Sequence, residues 1–374
     1  MVSYVDPHTE ERYSIDTPIW RSPDGNPLML SQLKGIRRDD IVTSMRSIWR
    51  YRKALPLNVS EPISMGEGCS PIVRVDYCGI PCHFKLEWFS PTGSFKDRGT
   101  SVMLSMLRQQ GIQSVLEDSS GNGGSSVAGY GAAGGIQVKV LVPAATSSAK
   151  IAQIRAYGAE VELIPGPREA TETAAIEQSS DVFYASHNWH PFFLQGTKTL
   201  GYELWEDFDF RVPDNIIIPA SAGSNLLGCH IAFTELMSSG EIDRLPKLFV
   251  SQPANCAPLH ASFQAGAAGF VDCDFQPTVA EGTAIKRPIR LNEMLKALRE
   301  SGGGTVAVDE AEIIDASRRL ALSGLYTEPT SAHAAAAVGK LIETGAINPS
   351  DQTVIILTGT GLKTTQFYED SFRA

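Results

Sequence analysis

The chain has 374 residues, of which 43% are hydrophobic and 20% charged, with a formal net charge of -10. This composition is typical of a soluble globular protein with an ample core, and the length suggests two domains. The negative charge argues against nucleic acid or a membrane surface as the main partner, but backbone amides can still bind a phosphorylated ligand. The polar N-terminus lacks an apolar signal segment, and the six cysteines form no CxxC pair. We therefore expect a cytoplasmic protein with reduced thiols.

The predicted elements begin after a mixed N-terminal stretch, which has a loop signal at residues 22–27 and a predicted helix over residues 41–52. From residue 100 onward, short β-rich runs alternate with helical stretches. The predicted strands cover residues 114–116, 137–142, 160–164, 182–185, 215–219, 247–251, 305–308 and 353–357. The predicted helices cover residues 100–110, 125–133, 148–157, 169–177, 197–206, 225–238, 292–300, 310–322 and 331–344. This alternation predicts parallel α/β sheets with helices on both faces, which bind ligands at the carboxyl ends of their strands.

The first segment whose residues could take part in catalysis has the sequence PTGSFKDRG and covers residues 91–99. Residues 91–93 form a predicted turn and Ser94 a predicted N-cap, so Lys96 falls in the first turn of a helix. By itself this lysine would be interpreted as a surface residue. The positive end of the helix dipole disfavours its ammonium form, however, and so favours the neutral amine that attacks an aldehyde.

Three later turns are rich in small residues. They are SSGNGG at residues 119–124, SAGSN at residues 221–225 and LTGTGLK at residues 357–363. Glycines allow the backbone to approach a ligand closely, and amides at the start of a helix can bind an anion. Each turn alone is also compatible with a purely structural role.

Together these four segments resemble the threonine synthase family, within the fold type II enzymes that depend on pyridoxal 5′-phosphate (PLP). The similarity runs over residues 48–363 and includes GEGCSPI at residues 66–72 and GTKT at residues 196–199. The resemblance implies an α/β fold with two open, mostly parallel twisted sheets and helices on both faces. It also implies three parts: an N-terminal extension with a degenerate, metal-free ribbon (residues 1–60), a large PLP domain (61–105 and 195–374) and a small substrate-side domain (106–194).

The resemblance further implies roles for single residues. Lys96 would form the Schiff base with PLP and act as the general base, and Phe95 beside it would also contact the cofactor. Asn122 would contact the phenolic oxygen of the PLP ring, and Thr358 its pyridine nitrogen. A hydroxyl does not keep that nitrogen protonated, which suits elimination better than transamination. The loop expected to bind the PLP phosphate consists of Ser221, Ala222, Gly223, Ser224 and Asn225. The residues expected to bind the substrate carboxylate are Ser119, Ser120, Gly121 and Gly123.

The chain departs from the family in two places. Residues 20–25 contain no cysteine where many members carry a zinc ribbon, so we expect no metal there. Phe193 stands where threonine synthases usually have an arginine that helps to hold the substrate phosphate, and a phenyl ring cannot clamp a dianion. The nearby residues that could partly compensate are His187, Asn188 and His190, although loop histidines are usually exposed and incidental. Glu328 also lies in a family-like segment, but a helix start capped by Ser331 is the simpler interpretation.

Three functions therefore stay open. The first is a PLP-dependent lyase that eliminates phosphate from O-phospho-L-homoserine and adds water to give L-threonine. The second is an ammonia-lyase (dehydratase) or a β-replacement enzyme on an unphosphorylated hydroxy amino acid such as L-threonine or L-serine, favoured by the missing arginine. The third is a PLP-binding protein without turnover, against which Lys96, Asn122 and Thr358 argue. In each case the ligand is a small amino acid, and the resemblance suggests a homodimer.

Overall fold

The computed structural model describes residues 2–56, 58–119, 121–144, 146 and 148–372, without the side chains of residues 148–150. The strands in chain order are β1 Ser3–Val5, β2 Arg12–Ser14, β3 Met29–Leu30, β4 Ile72–Tyr77, β5 Ile80–Leu86, β6 Ser114–Glu117, β7 Gln137–Pro143, β8 Glu160–Ile164, β9 Phe183–Tyr184, β10 Asn215–Pro219, β11 Lys247–Pro253, β12 Gly304–Val308 and β13 Thr353–Leu357. The α-helices are α1 Lys96–Gln109, α2 Asn122–Gly134, α3 Ser148–Ala156, α4 Arg168–Gln178, α5 Pro191–Thr197, α6 Thr199–Asp207, α7 Ser224–Ser239, α8 Pro258–Gln264, α9 Leu291–Glu300, α10 Glu310–Leu322, α11 Pro329–Glu343 and α12 Thr365–Ser371.

Two open α/β sheets dominate the fold. One has the strand order β8-β7-β6-β9 with all pairs parallel. The other has the order β12-β11-β10-β13-β5-β4, in which only the edge strand β4 runs antiparallel. The predicted class, two open and mostly parallel sheets with helices on both faces, is confirmed. A small antiparallel sheet of order β2-β1-β3 precedes them.

The chain divides into two compact units. The first comprises Met1–Cys69 and Ser90–Thr199, and contains the small sheet, the four-stranded sheet and helices α1 to α5. Its helix α2 is rich in small residues because it packs closely on the sheet: a Cβ added at Gly131 would lie 2.2 Å from Cγ2 of Val138. The N-terminal strands belong to the same core, since the rings of Tyr4 and Phe192 are 5.5 Å apart.

The second unit comprises Ser70–Phe89 and Leu200–Ala374 and contains the six-stranded sheet. Its central strands β10 and β13 are buried along their whole length, as expected for parallel strands covered on both faces. The alanine-rich helix α11 contacts β10, β11, β12 and β13, since its small side chains allow a close approach to the sheet.

Several predicted elements differ from the observed ones. Residues 41–47 are not helical; a short 3-10 helix, Ile48–Ala54, begins only after Ser47, whose hydroxyl accepts a hydrogen bond from the Trp49 amide. The predicted helix over residues 197–206 corresponds to α6, which begins at Thr199, whereas α5 before it was not predicted. The β4–β5 hairpin was not predicted. Its turn has positive φ at both Cys78 and Gly79, and the Cys-Gly pair was the available signal.

The predicted domain boundaries also differ from these units. The prediction assigned residues 61–105 to the large PLP domain, whereas helix α1 lies in the first unit. It likewise set residues 1–60 apart as an extension, whereas Trp49 and other residues of this stretch share a hydrophobic cluster with α1 and α2. Residues 20–27 form a tight turn, in which the Ser22 amide donates to the Asn26 carbonyl.

Candidate active site

Helix α1 places Lys96 as its first residue, after a turn that a carboxylate holds in shape. The Asp97 carboxylate accepts hydrogen bonds from the Thr92 amide (2.7 Å), the Thr92 hydroxyl (2.5 Å) and the Ser126 hydroxyl (2.7 Å). The N-cap is Phe95 rather than Ser94, so the predicted capping role of Ser94 is wrong. The buried Ser94 hydroxyl has no hydrogen-bond partner among the described residues. Asp97, which the sequence analysis did not single out, therefore fixes the Lys96 turn and ties it to α2.

The side chain of Lys96 lies among aromatic rings. Its Nζ is 4.8 Å from the centroid of the Phe95 ring and 5.6 Å from that of Phe193. Phe193 is completely buried and packs on the same helix, since a Cβ at Gly99 would come within 2.5 Å of its ring. The residue that stands in place of the family's arginine is thus part of the apolar surroundings of the lysine.

The small-residue turn after β6 leads directly into helix α2. Ser120 lies outside the described residues. Gly121 occupies the N-cap position, and its amide donates to the Ser119 hydroxyl at 3.4 Å. A Cβ at Gly124 would lie 2.0 Å from the Ser119 carbonyl oxygen, so only glycine fits this close turn. Asn122 and Gly123 open the helix, where amides without intrahelical partners can bind a carboxylate.

A buried histidine–glutamate pair adjoins this turn. His187 Nδ1 is 2.6 Å from Glu117 Oε1, and the His187 amide donates to Glu117 Oε2 at 3.1 Å. A Cβ at Gly123 would come within 2.7 Å of the imidazole, which places the ring against the start of α2. His187 is only 7% exposed and His190 fully buried, so the expectation that these loop histidines are exposed is wrong.

Burial is the main cause of the pKa shifts of Glu117 and His187. It raises the pKa of Glu117 to about 7, because a carboxylate loses hydration inside the protein. Burial, followed by the nearby Lys96 ammonium, lowers the pKa of His187 well below its usual range. These shifts favour a neutral imidazole beside a Glu117 carboxyl group that is protonated below about pH 7 and ionised above it.

The second unit carries the small-residue loop predicted to bind the PLP phosphate, between β10 and α7. Gly223 is the N-cap of α7 with a φ of +79°, and a Cβ there would lie 1.9 Å from the sulfur of Met294. Ser221 and Ser224 are buried, and Ala222 is half-buried beside them. Asn225 is 2% exposed, and neither polar atom of its side chain has a partner among the described residues. Small side chains, a glycine-only turn and a free buried amide fit a phosphate group at the start of a long helix.

Thr358 follows the neighbouring strand β13 and is held by a serine. The Ser331 hydroxyl accepts hydrogen bonds from the amides of Thr358 (2.9 Å) and Gly359 (3.0 Å) and lies 2.8 Å from the Thr358 hydroxyl. Ser331 is therefore not the cap predicted for α11, which begins at Pro329 after an N-cap at Glu328. Glu328 packs on the same turn, since a Cβ at Gly359 would come within 2.2 Å of its carboxylate.

The loop at Ser221 and the turn at Thr358 are linked within this unit. The strands β10 and β13 are parallel neighbours, so both turns leave the same edge of the sheet. The Ser221 hydroxyl donates to the Gly282 carbonyl, and the Gly282 amide donates to the Thr330 hydroxyl, one residue from Ser331. Two of the predicted loops are thus brought together here, while in the first unit Phe193 and His187 connect Lys96 to Gly123 of the small-residue turn.

Sequence reasoning missed Glu117, Asp97 and Ser331. Glu117 ends strand β6 immediately before the glycine-rich turn, and an acidic residue at the carboxyl end of a buried parallel strand was the available signal. Across the described residues, no group of three or more histidine, cysteine or acidic side chains is placed to hold a metal ion. None of the described helices is both long enough and apolar enough to cross a membrane.

The sequence profile of the family described as "Pyridoxal-phosphate dependent enzyme" matches residues 63–359, which include the first three segments and the start of the fourth, with Thr358. The chain therefore belongs to the PLP-dependent enzymes. It is 34% identical over 339 residues to the threonine synthase of Methanosarcina acetivorans, covering 88% of this chain and 84% of that protein. It is 33% identical to the threonine synthase of Methanocaldococcus jannaschii, covering 84% and 80%. Within the class, the chain is a member of the threonine synthase family.

Solved structures support the fold. A fungal L-serine ammonia-lyase from Rhizomucor miehei matches with a TM-score of 0.71 and 19% identity, covering 83% of this chain and 100% of that chain. The processed form of threonine deaminase isoform 2 from Solanum lycopersicum matches with a TM-score of 0.70 and 22% identity, covering 90% and 95%. At these identities the likeness concerns the architecture alone.

Proposed function

We propose that this PLP-dependent lyase is a threonine synthase, which removes phosphate from O-phospho-L-homoserine and adds water at Cβ to give L-threonine. The observation that supports this most is the similarity to threonine synthases, which covers at least four fifths of this chain and of each of the two relatives. PLP, when bound, supplies the electron sink that stabilises negative charge on the substrate carbons. The remaining work falls to side chains and amides of the chain.

Lys96 would hold the cofactor aldehyde through Nζ and, once the substrate amine has displaced it, take the proton from Cα. The rings of Phe95 and Phe193 flank Nζ and form the apolar surroundings of the amine that would act as the base. The rigid turn held by Asp97 fixes where that amine points, which is what proton transfer at a single carbon requires.

The other proposed roles follow the geometry of each turn. The start of α2, from Ser119 to Gly123 with Asn122, would orient the substrate carboxylate and contact the ring oxygen. The residues proposed to hold the cofactor phosphate are Ser221, Ala222, Gly223, Ser224 and Asn225. Thr358, whose hydroxyl is 2.8 Å from that of Ser331, would meet the pyridine nitrogen without protonating it.

Lys96→Ala provides the first test, with the exposed Lys296→Ala as matched control. Borohydride reduction of the purified protein, followed by peptide mapping, should attach the cofactor to the peptide that contains Lys96. The Lys96→Ala variant should lose the label, the visible absorbance and turnover together, while Lys296→Ala should keep all three. A label on another lysine would overturn the assignment.

The substrate is tested by parallel incubation with O-phospho-L-homoserine, L-threonine and L-serine. Phosphate and threonine released in equal amounts from the first substrate support the proposed function. Keto acid and ammonia from either unphosphorylated amino acid would support a dehydratase instead, in agreement with Phe193 in place of the arginine. No product from any of the three would contradict both.

We also propose that the enzyme acts in the cytoplasm as a homodimer. The cytoplasmic location is inferred from the sequence, in which the six cysteines form no CxxC pair. The dimer is inferred from the family resemblance. Light scattering of the purified protein would test it, and a mass equal to one chain of 40.4 kDa would contradict it.

A further inference from the structure

The Glu117–His187 pair has a geometry that a purely structural contact does not need. Both oxygens of the Glu117 carboxylate contact His187: Oε1 lies 2.6 Å from the ring Nδ1 and Oε2 3.1 Å from the amide nitrogen. This two-point contact fixes the orientation of the imidazole and its tautomer, because Nδ1–H donates to the carboxylate. Nε2 is then left with its lone pair.

The pair lies at the turn proposed to receive the substrate carboxylate. The imidazole packs against Gly123, and a Cβ there would also come within 2.9 Å of the Ser119 hydroxyl. On its other side, the ring centroid is 5.8 Å from that of Phe193, which in turn flanks Lys96 Nζ at 5.6 Å. A single imidazole therefore adjoins both the carboxylate turn and the surroundings of the lysine.

The charges around the pair allow it to accept a proton. The charged groups that act on His187 are Lys96 of α1, Asp118 after β6 and Arg168 of α4. The Asp118 carboxylate forms an ion pair with Arg168 at 2.7 Å and also accepts a hydrogen bond from the Tyr184 hydroxyl. The carboxylate that bonds to His187 is therefore that of Glu117. When the pair takes up a proton, its net charge rises from minus one to zero, whichever of the two residues holds it. Neutralising a buried charge favours that uptake.

We propose that His187, held by Glu117, is the base that activates the water added at Cβ. This inference rests on the proposed function. In that reaction a proton is lost from Cβ and the Cγ–O bond breaks, its electron pair leaving with the phosphate. Cγ then gains a proton, and the oxygen of a water molecule bonds to Cβ as the Cα–Cβ double bond opens. The water loses one proton as this bond forms; His187 Nε2 accepts it and afterwards releases it to the freed phosphate or to solvent.

The raised pKa of Glu117 agrees with this role. A base with a pKa near the working pH combines a useful fraction of its unprotonated form with a strong affinity for the proton. The pair titrates as a unit, so the value of about 7 for Glu117 marks the pH range in which it changes from base to acid. Above that pH range Nε2 can accept a proton from water, and below it the pair already holds the additional proton.

The test separates phosphate release from water addition. O-phospho-L-homoserine is given to the wild-type holoenzyme and to the variants His187→Gln and Glu117→Gln, and phosphate, threonine, 2-oxobutanoate and ammonia are measured together. Phosphate should still be released by the variants, but threonine per phosphate should fall by a factor of about 10² or more, the smallest contribution typical of a positioned base. The missing product should appear as 2-oxobutanoate and ammonia, because the dephosphorylated substrate leaves without water at Cβ.

His230→Gln is the matched control, since it disrupts another histidine–glutamate pair, in which His230 Nε2 is 2.9 Å from Glu300. It should keep the wild-type product ratio. Visible absorbance and thermal unfolding report whether each variant still folds and carries the cofactor. A threonine-to-phosphate ratio that stays unchanged in well-folded His187→Gln and Glu117→Gln overturns the inference while the proposed function stands. Wild-type protein that makes no threonine overturns both.

A second measurement uses only the wild-type enzyme. The threonine-to-phosphate ratio should fall as the pH is lowered through about 7, because protonation of the pair removes the base. In Glu117→Gln the ratio should be low and independent of pH over the same range, since the amide cannot titrate. A wild-type ratio that is constant from pH 8 to about 5.5 would contradict the role of the pair.

Discussion

The ring of Phe193 lies directly on Gly99, one turn along the helix that begins with Lys96. A Cβ at Gly99 would be 2.5 Å from three carbons of the ring, which is closer than real side chains approach each other. Gly99 thus makes room for the aromatic residue that replaces the family's arginine. The position of the ring, and with it one wall around Lys96, depends on the absence of a single methyl group.

We expect Gly99→Ala to destabilise the protein by about 1–3 kcal/mol, because the added methyl group overpacks a rigid contact. It should also shift the visible absorbance of the bound cofactor, since α1 must move relative to Phe193. Chemical unfolding and spectra of the holoenzyme measure both effects. Phe193→Leu introduced into Gly99→Ala should recover part of the lost stability. Equal stability of Gly99→Ala and wild type would show that the ring is free to move.

Ser331 positions Thr358, a role that the sequence analysis did not predict. Ser331→Ala removes the acceptor for the Thr358 and Gly359 amides and leaves two buried donors unsatisfied. We expect the variant to bind PLP at least several-fold more weakly and to show a shifted cofactor spectrum. Equilibrium titration of apoprotein with PLP measures the affinity. The control is Ser317→Ala, which removes a buried hydroxyl bonded only to the Ile313 carbonyl of its own helix and should leave affinity unchanged.

Lys85 carries a fully buried charge in the second unit. Its Nζ is 2.6 Å from Glu203, 2.7 Å from Asp207 and 2.7 Å from the Ser70 carbonyl. We expect Lys85→Met to cost about 3–5 kcal/mol, because it leaves the buried carboxylate of Glu203 without its cation. Denaturant unfolding gives the value. The surface pair of Lys53 and Asp40 has a similar distance of 2.6 Å, yet Lys53→Met should cost less than about 1 kcal/mol since Lys53 is 60% exposed.

His333 is predicted to make the protein sensitive to acid. Burial lowers its pKa to about 3, and its two ring nitrogens lie 2.7 Å from the Ser251 hydroxyl and 3.3 Å from that of Thr283. Between its unfolded pKa near 6.5 and about 3, the unfolded chain binds more protons than the folded one, so stability falls as the pH drops. The slope should reach about 1.4 kcal/mol per pH unit from this residue.

Urea unfolding at a series of pH values tests that slope. His333→Gln should be less stable than wild type at pH 7 but lose less stability on acidification. The exposed His8→Gln should follow the wild-type curve. If His333→Gln and wild type lose stability in parallel below pH 6.5, another group is responsible.

The sequence was most informative where a pattern is local. The strands Glu160–Ile164, Asn215–Pro219 and Thr353–Leu357 and the helix Glu310–Leu322 were predicted with their observed bounds, because apolar runs and helix caps depend on neighbouring residues alone. The small-residue turns were found for the same reason. The β4–β5 hairpin was missed although β5 alternates apolar and polar side chains, with Ile80, Cys82, Phe84 and Leu86 on one face.

By itself, the sequence determined the class of fold, the family and the lysine expected to carry PLP, since short motifs and strand–helix alternation are written in consecutive residues. Only the tertiary structure revealed that Glu117 holds His187, that Ser331 holds Thr358 and that Gly99 receives Phe193. These partners are separated by 27 to 94 positions along the chain. Their contacts arise from how strands and helices pack, and no local pattern encodes that packing.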